Sequence, residues 1–298
     1  MSPPRNLIVL LLLAFCRVAS AADDVVRTPD VIYGRLFGLA QTLEVWKPAK
    51  QNGAGVIVMC SGGWHSSPEM IGNGLFTAAA VKPLLDRGYT LFFVCHGAQP
   101  KFTVNEIIPQ ILRAVRFIRT KSADYGVDPN RLGITGISSG GHLSLSMGAF
   151  GKEGDPKAKD PIDRASSRVQ AVACFCPPCD LVDYGEKGKT FVEFEGVKFV
   201  WHAMPVAGKP KEEQIKILRA LSPYAALSKE SAPTLILHGT KDLLVPYEQA
   251  ERHIAKLKEL GVPGELVTRQ DAGHAWPEMG KDFAVVADWF DKHLAKDK

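Results

Sequence analysis

Short apolar runs alternate with helical patterns along most of the chain. Six of these runs have the continuous apolar character of buried strands: 56–60, 90–95, 131–137, 169–176, 234–239 and 265–270. Between them, apolar residues recur at helical spacing, most clearly within 104–123 and 281–295. This alternation predicts an α/β fold with a mostly parallel, twisted sheet and helices on both faces.

Two further segments complete the predicted architecture. Residues 31–48 alternate apolar and polar positions and predict an antiparallel β-hairpin ahead of the parallel strands. Residues 184–221 follow the run 169–176, which is the sixth strand when the two hairpin strands are counted, and they form a long segment of mixed pattern. They predict a cap-like insertion over the carboxyl edge of the sheet, where folds of this type bind ligands. We therefore expect one catalytic domain over residues 22–298.

The first residues, 1–21, predict a secretory signal peptide. Arg5 precedes an unbroken apolar run over 7–15, and the small residues at 19–21 suit a cleavage site. The run is short for a bilayer span, and an uncleaved anchor is the alternative. We expect a secreted or periplasmic chain that begins near Ala22 and has no stable membrane insertion after cleavage.

Charge and cysteine content narrow the function classes. Loss of the signal segment lowers the formal charge from +4 to +2, which provides no basic field for nucleic acid. The remaining cysteines are odd in number and cannot all pair within one molecule: Cys60, Cys95, Cys174, Cys176 and Cys179. The cluster CFCPPCD lacks a second Cys/His pair at zinc-ligand spacing. We expect buried thiols and no metal, while an oxidising compartment would allow one disulfide.

The segment GITGISSGGHLSL, 133–145, joins a predicted strand to a predicted helix. Its centre, Gly136-Ile137-Ser138-Ser139-Gly140, matches the nucleophile elbow. A sharp turn of this kind exposes the Ser138 hydroxyl above the sheet and presents N–H groups from the helix start to developing negative charge. A plain glycine-rich turn has the same pattern, so the rest of the chain decides between the two.

The partners that a serine nucleophile needs occur downstream in the required order. Asp242 follows a strand end in LILHGTKDLLVP, and His274 follows the last strand in VTRQDAGHAW. Both lie at the same sheet edge as Ser138, which predicts a Ser138–His274–Asp242 catalytic triad. His142 is one helical turn from the serine and better placed to pack, and Asp271 is better placed to structure its loop.

Backbone donors for an oxyanion are predicted at the helix start and in MCSGGWHSS. Ser139 supplies one N–H group, and Gly63 is the first choice for the second, with Gly62 or Trp64 as its neighbour. Side chains predicted at the substrate pocket are His65, His96, Asp180 and Trp201. The aromatic residues of the insertion either shape the pocket or form the insertion's own small core; they are Phe191, Phe194, Phe199 and Trp201.

The chain resembles an α/β-hydrolase of the esterase/lipase type. The likeness covers the mature chain and is closest to the carbohydrate and feruloyl esterase-like branch related to prolyl oligopeptidase catalytic domains. Its motifs are DVIYGRLFGLAQTLEVWKP, YGVDPNRLGITG, GISSGGHLSL, LSPYAAL, LHGTKDLLVP and AGHAW. The resemblance implies hydrolysis of a small-molecule or carbohydrate carboxylic ester, without a cofactor. One departure is Cys60-Ser61, where relatives carry His-Gly before the two glycines.

Two other function classes stay open. A prolyl oligopeptidase-like serine peptidase would use the same triad, although such enzymes usually carry a large N-terminal propeller. A non-catalytic binding protein on a hydrolase fold usually loses a member of the triad, and none is missing here. Acyl specificity, leaving-group specificity and oligomeric state are left open by the sequence.

Overall fold

The computed structural model describes residues 25–296. Its centre is one mixed sheet of eight strands. Its strands are β1 (Val25–Leu36), β2 (Leu39–Pro48), β3 (Gly55–Met59), β4 (Thr90–Val94), β5 (Leu132–Ile137), β6 (Ala171–Phe175), β7 (Thr234–Gly239) and β8 (Gly264–Arg269). The predicted signal peptide, 1–21, lies outside the described residues.

The order of the strands is β1-β2-β4-β3-β5-β6-β7-β8. The first two strands form an antiparallel hairpin, and β2 also pairs antiparallel with β4. All other pairs are parallel. The predicted hairpin and the mostly parallel sheet are confirmed.

The helices of the described residues cover both faces of this sheet. They are α1 (Ala78–Asp86), α2 (Val104–Thr120), α3 (Ser139–Phe150), α4 (Lys211–Leu221), α5 (Glu248–Glu259) and α6 (Phe283–His293). The apolar residues of α1 and α6 belong to one core, and those of α2, α3 and α5 belong to the other. None of the helices within residues 25–296 combines the length and apolar character needed to cross a bilayer.

Strand β3 shows why the parallel strands have continuous apolar sequences. Ile57 and Met59 belong to the core on the α2 side, whereas Val56 and Val58 belong to the core on the α1 side. Successive side chains point to opposite faces, and both faces are covered, so each position requires an apolar residue.

Two predicted helices are shorter in the structure than their sequence patterns suggested. The pattern over 104–123 gives α2, which ends at Thr120. The chain then tightens into a 3-10 turn over Ser122–Tyr125, closed by Gly126 with φ 69°. The pattern over 281–295 gives α6, which is shorter than the pattern at both ends.

The segment 184–221 lies above the turn that follows β3. It holds 3-10 helices at Phe191–Glu193 and Glu195–Ala203, followed by α4. The Phe191 ring meets the Tyr184 ring edge to face, with centroids 5.1 Å apart, and meets Trp64 in the same way at 5.4 Å. The segment therefore has a small aromatic core of its own and also packs on the carboxyl side of the sheet.

Candidate active site

Ser138 occupies a strained turn between β5 and α3. Its φ of 57° and ψ of −120° are values that side-chain-bearing residues rarely adopt. The flanking glycines allow this turn, because a Cβ at Gly136 would overlap the carbonyl of Gly140, and a Cβ at Gly140 would lie 2.9 Å from the Met59 carbonyl oxygen. Ser138 is thus held on the sharp strand-to-helix turn that its sequence pattern predicts.

His274 and Asp242 form a hydrogen-bonded row with Ser138. The Nε2 atom of His274 lies 2.9 Å from Ser138 Oγ, and its Nδ1 atom lies 2.8 Å from Asp242 Oδ2. Ser138 follows β5, Asp242 follows β7 and His274 follows β8, so all three lie at the carboxyl edge of the sheet. In this arrangement an imidazole can take the hydroxyl proton while a carboxylate fixes its tautomer and orientation.

The Asp242 carboxylate is buried and has a hydrogen-bond donor at each oxygen. Oδ1 accepts the N–H groups of Leu244 and Val245, each at 2.9 Å. Oδ2 accepts from His274 and from His238, the latter at 3.1 Å. Burial disfavours the charged form, but the hydrogen bonds from His238 and His274 outweigh it and hold the pKa of Asp242 below its ordinary value.

His238 is a site residue that the sequence analysis missed. It is the penultimate residue of β7, four residues before Asp242, and its side chain is fully buried. The signal for it was the histidine in LHGTKD, which the strand pattern alone marked as a core position. Its contact with Asp242 leaves the carboxylate bound by two imidazoles.

The environment of His274 favours its protonated form. Partial burial opposes the charge, but the hydrogen bond to Asp242 and the contact with Cys176 outweigh burial and raise the pKa of His274. The imidazolium that forms when His274 takes a proton is therefore stabilised at the place where catalysis would need it.

Cys176 lies beside the triad. Its thiol donates to the His274 carbonyl oxygen at 3.4 Å. Potential ligand atoms of Cys176, Asp242 and His274 all lie within 4.8 Å of one another. The hydrogen bond between Asp242 and His274 accounts for much of this closeness, and a cation bound there would have to displace it.

The cysteines of the described residues are all buried with free thiols, which confirms the predicted burial.

The turn after β3 presents backbone N–H groups beside the elbow. Gly62 and His65 exchange two backbone hydrogen bonds of 2.9 Å, and between them Gly63 and Trp64 both have positive φ, 55° and 57°. These φ signs are those of a type I′ turn. The N–H group of Gly62 already donates to His65, so the prediction of Gly62 as an oxyanion donor is wrong. The N–H groups of Gly63, Trp64 and Ser139 make no hydrogen bond within the described residues and stay as candidate donors.

A cleft of about 570 Å³ opens above Ser138 and His274. Its walls are mostly apolar and include Met70, Phe76, Ile137, Phe199 and Leu244. Besides Ser138 and His274, polar residues in its lining include Ser67, Glu69 and Asn73. The volume is within the range of small-molecule sites, and the Phe199 side chain from the insertion, which is 69% exposed, is free to contact a ligand.

Trp201 and Asp180, both predicted to line the substrate pocket, do not line this cleft. The Trp201 ring packs on His202, with centroids 4.1 Å apart, because the insertion turns Phe199 rather than Trp201 toward the cleft. Asp180 is buried and caps its own turn, where its carboxylate accepts the Val182 N–H at 3.0 Å. The predicted pocket roles of both residues are wrong.

The two histidines predicted at the pocket edge lie near the site but outside the cleft lining. His65 is exposed and closes the turn after β3 through its backbone. His96 follows β4, is buried, and lies with its Nε2 atom 2.9 Å from Ser61 Oγ. Burial keeps His96 from direct contact with a ligand in the cleft, so its predicted pocket role is also corrected.

The rival residues have structural partners elsewhere. His142 is fully buried, and its Nδ1 accepts from Trp64 Nε1 at 3.3 Å. Asp271 is exposed and pairs with Lys241 at 2.8 Å. The backbone N–H of His142 donates to the Ser138 carbonyl oxygen at 2.9 Å, but within the described residues neither the His142 nor the Asp271 side chain hydrogen-bonds to Ser138 or His274.

Known proteins share this sequence pattern and this fold. The BD-FAE family model matches residues 43–257. The chain is 26% identical over 247 residues to the probable carboxylic ester hydrolase LipM of Mycobacterium tuberculosis, covering 80% of this chain and 53% of that protein. Esterase LipQ of the same organism is 28% identical over 242 residues, covering 79% and 53%. The chain thus spans about half the length of the curated relatives it matches.

Solved structures extend the likeness to most of the fold. A truncated carbohydrate esterase from gut microbiota matches with a TM-score of 0.75 at 22% identity, over 92% of this chain and 98% of the other. The acetyl ester-xyloside bifunctional hydrolase of Caldicellulosiruptor lactoaceticus matches with a TM-score of 0.72 at 22% identity, over 88% and 95%. The fold is therefore that of the α/β-hydrolases. Since the family model covers residues 43–257, most of the chain, the protein belongs to the BD-FAE family.

Proposed function

We propose that the protein hydrolyses carboxylic esters through an acyl-enzyme formed on Ser138. The observation that carries this proposal is the row of hydrogen bonds from Ser138 to His274 and from His274 to Asp242, at 2.9 and 2.8 Å. The row lies at an open cleft, beside a turn whose N–H groups are available. The names of LipM, a probable carboxylic ester hydrolase, and of esterase LipQ support the same reaction class.

The reaction follows from the geometry of the triad. Ser138 attacks the ester carbonyl carbon while His274 takes its proton, and the Asp242 carboxylate stabilises the imidazolium. The negative charge on the carbonyl oxygen is held by the N–H groups of Gly63 and Ser139. His274 then gives its proton to the departing alcohol. Water, deprotonated by His274, then attacks the acyl carbon, the bond to Ser138 Oγ breaks, and His274 returns the proton to Ser138 as the acid leaves.

Small acyl groups on carbohydrate hydroxyls are the substrate class that we propose. The cleft is mostly apolar, which suits a short acyl chain, and its lining also includes the polar side chains of Ser67, Glu69 and Asn73. The exposed ring of Phe199 offers a flat apolar face, of the kind on which a sugar ring can pack. Two structurally similar proteins named as a carbohydrate esterase and an acetyl ester-xyloside hydrolase support this class.

Hydrolysis assays test the proposal against its two alternatives. We expect turnover of p-nitrophenyl acetate and release of acetate from acetylated xylan, with negligible cleavage of aminoacyl p-nitroanilides. Ser138→Ala is the matched control and should lose roughly 10⁴- to 10⁶-fold in kcat with an unchanged melting temperature. Preferential anilide cleavage would favour the peptidase, and an inert wild-type protein would favour the binding protein.

We also propose that the protein is secreted or periplasmic. The proposal depends on the signal-like residues 1–21, with Arg5 ahead of the apolar run. N-terminal sequencing of protein recovered from the cell exterior or periplasm should start near Ala22. Recovery of the full-length chain from the cytoplasm would contradict it.

A further inference from the structure

Ser61 connects the turn after β3 to the start of α3. Its hydroxyl lies 3.1 Å from the hydroxyl of Ser139, the first residue of α3, and 2.9 Å from Nε2 of His96, which follows β4. All three side chains are buried: Ser61 is 3%, Ser139 1% and His96 6% exposed. One serine thus joins three elements at the carboxyl edge of the sheet.

The proton on His96 fixes the direction of these hydrogen bonds. Its Nδ1 atom lies 2.8 Å from the Gly97 carbonyl oxygen, which can only accept, so Nδ1 carries the proton. The Nε2 atom therefore accepts from the Ser61 hydroxyl, whose oxygen in turn accepts from Ser139. Burial lowers the pKa of His96 to about 4 despite the hydrogen bond to Gly97, so the ring is neutral at neutral pH.

His96 also holds the far end of the same turn. Its backbone N–H donates to Ser66 Oγ at 3.1 Å, and that hydroxyl donates to the Cys60 carbonyl oxygen at 2.6 Å. The residues on either side of the Gly63–Trp64 turn are therefore both tied to the end of β4. The imidazole and backbone of His96, which follows β4, thus both contact the turn after β3.

We propose that His96 is a positioning residue for the oxyanion hole, acting through Ser61 to hold the N–H groups of Gly63 and Ser139 at a fixed separation before substrate binds. One donor comes from the turn after β3 and the other from α3, and the Ser61 hydroxyl is the side-chain link between them. Donors that are already in place contribute most to stabilising the oxyanion, and small displacements weaken them. This inference rests on the proposed ester hydrolysis.

Three variants separate positioning from simple support of the fold. His96→Asn keeps an amide near Gly97 but is too short to accept from Ser61, whereas His96→Gln can place its amide oxygen near the former Nε2 position. Ser61→Ala removes the link with little change in volume. His202→Asn, at an exposed histidine of the insertion, is the matched control.

The measurements are kcat and KM for p-nitrophenyl acetate and the inhibition constant of an alkyl trifluoromethyl ketone, which forms an oxyanion on Ser138. We expect His96→Asn and Ser61→Ala each to lower kcat by about 10- to 100-fold, with KM nearly unchanged. Ketone affinity should fall by the same factor, and His96→Gln should restore most of the activity. The Ser61→Ala/His96→Asn double variant should be no slower than either single variant.

Each outcome bears on one of the two proposals. Wild-type kcat in His96→Asn and Ser61→Ala, or losses that simply multiply in the double variant, would overturn the positioning role alone. A fall in melting temperature with unchanged kcat and ketone affinity would do the same. A wild-type protein without ester turnover would overturn the proposed function, and this inference with it.

Discussion

Replacing Gly63 by alanine should displace the turn that we propose as the source of one oxyanion donor. Gly63 has φ 55°, and a Cβ added there would lie 2.7 Å from Cγ1 of Val200 in the insertion. The left-handed conformation costs an alanine about 1 kcal/mol, and the overlap with Val200 has to be relieved by movement of the turn or of the insertion. The N–H group of residue 63 would then no longer point to its former position.

The expected loss follows from the worth of one donor. Removal of a single oxyanion donor lowers kcat by about 10²- to 10³-fold, so Gly63→Ala should lower kcat by about 10²-fold with KM little changed. The control is Gly261→Ala, where φ is 74° but nothing lies within 4 Å of the added Cβ. That variant should lose about 1 kcal/mol of stability and no kcat.

A second substitution separates the overlap from the backbone conformation. Val200→Ala removes the atom that would meet the new Cβ and leaves the backbone of residue 63 unchanged. The Gly63→Ala/Val200→Ala double variant should therefore recover most of the lost kcat in p-nitrophenyl acetate assays. Full activity in Gly63→Ala, or no recovery in the double variant, would refute the assignment of this turn to the oxyanion hole.

Other predictions concern pH and substrate selectivity. His274 acts as a base only when neutral, and the hydrogen bond to Asp242 raises its pKa. We therefore expect kcat/KM to fall as the pH falls, with the inflection at a pH above the ordinary histidine pKa of about 6.5. A pH-independent profile from pH 6 to 9 would contradict this. Phe199→Ala should change kcat/KM for acetate and for bulkier acyl esters unequally, and the two changes, expressed as free energies, should differ by about 1 to 3 kcal/mol. Trp201→Ala should lower the melting temperature without altering selectivity. Equal losses on all esters in Phe199→Ala would remove its role in the pocket.

The sequence predicted the fold because the strands carry strong local signals. Strands such as β3 are buried on both faces, so their composition is apolar throughout and distinguishable from the helices. The placement of Ser138, Asp242 and His274 could be predicted for a related reason. Each follows a strand, and the carboxyl ends of parallel strands meet at one edge of the sheet.

The details of the site depend on packing that the sequence pattern does not express. Phe199 rather than Trp201 faces the cleft because the 3-10 helix Glu195–Ala203 buries Val197, Val200 and Ala203. The N–H group of Gly62 is excluded as an oxyanion donor because it already donates to the His65 carbonyl oxygen. The sequence could not distinguish Gly62 from Gly63, because both are glycines in the same turn. His96 contacts Ser61 and Ser66, which precede it by 35 and 30 residues, and these contacts arise because β3 and β4 are neighbours in the sheet.

Mapping of a covalent adduct tests most directly the claim that Ser138 is the nucleophile. The protein is treated with a fluorophosphonate, and its intact mass and the modified peptide are determined by mass spectrometry. We predict a single adduct on Ser138, formed far more slowly in His274→Ala and not formed at this position in Ser138→Ala. A wild-type protein that stays unmodified while it hydrolyses p-nitrophenyl acetate, or an adduct on another residue, would contradict the account.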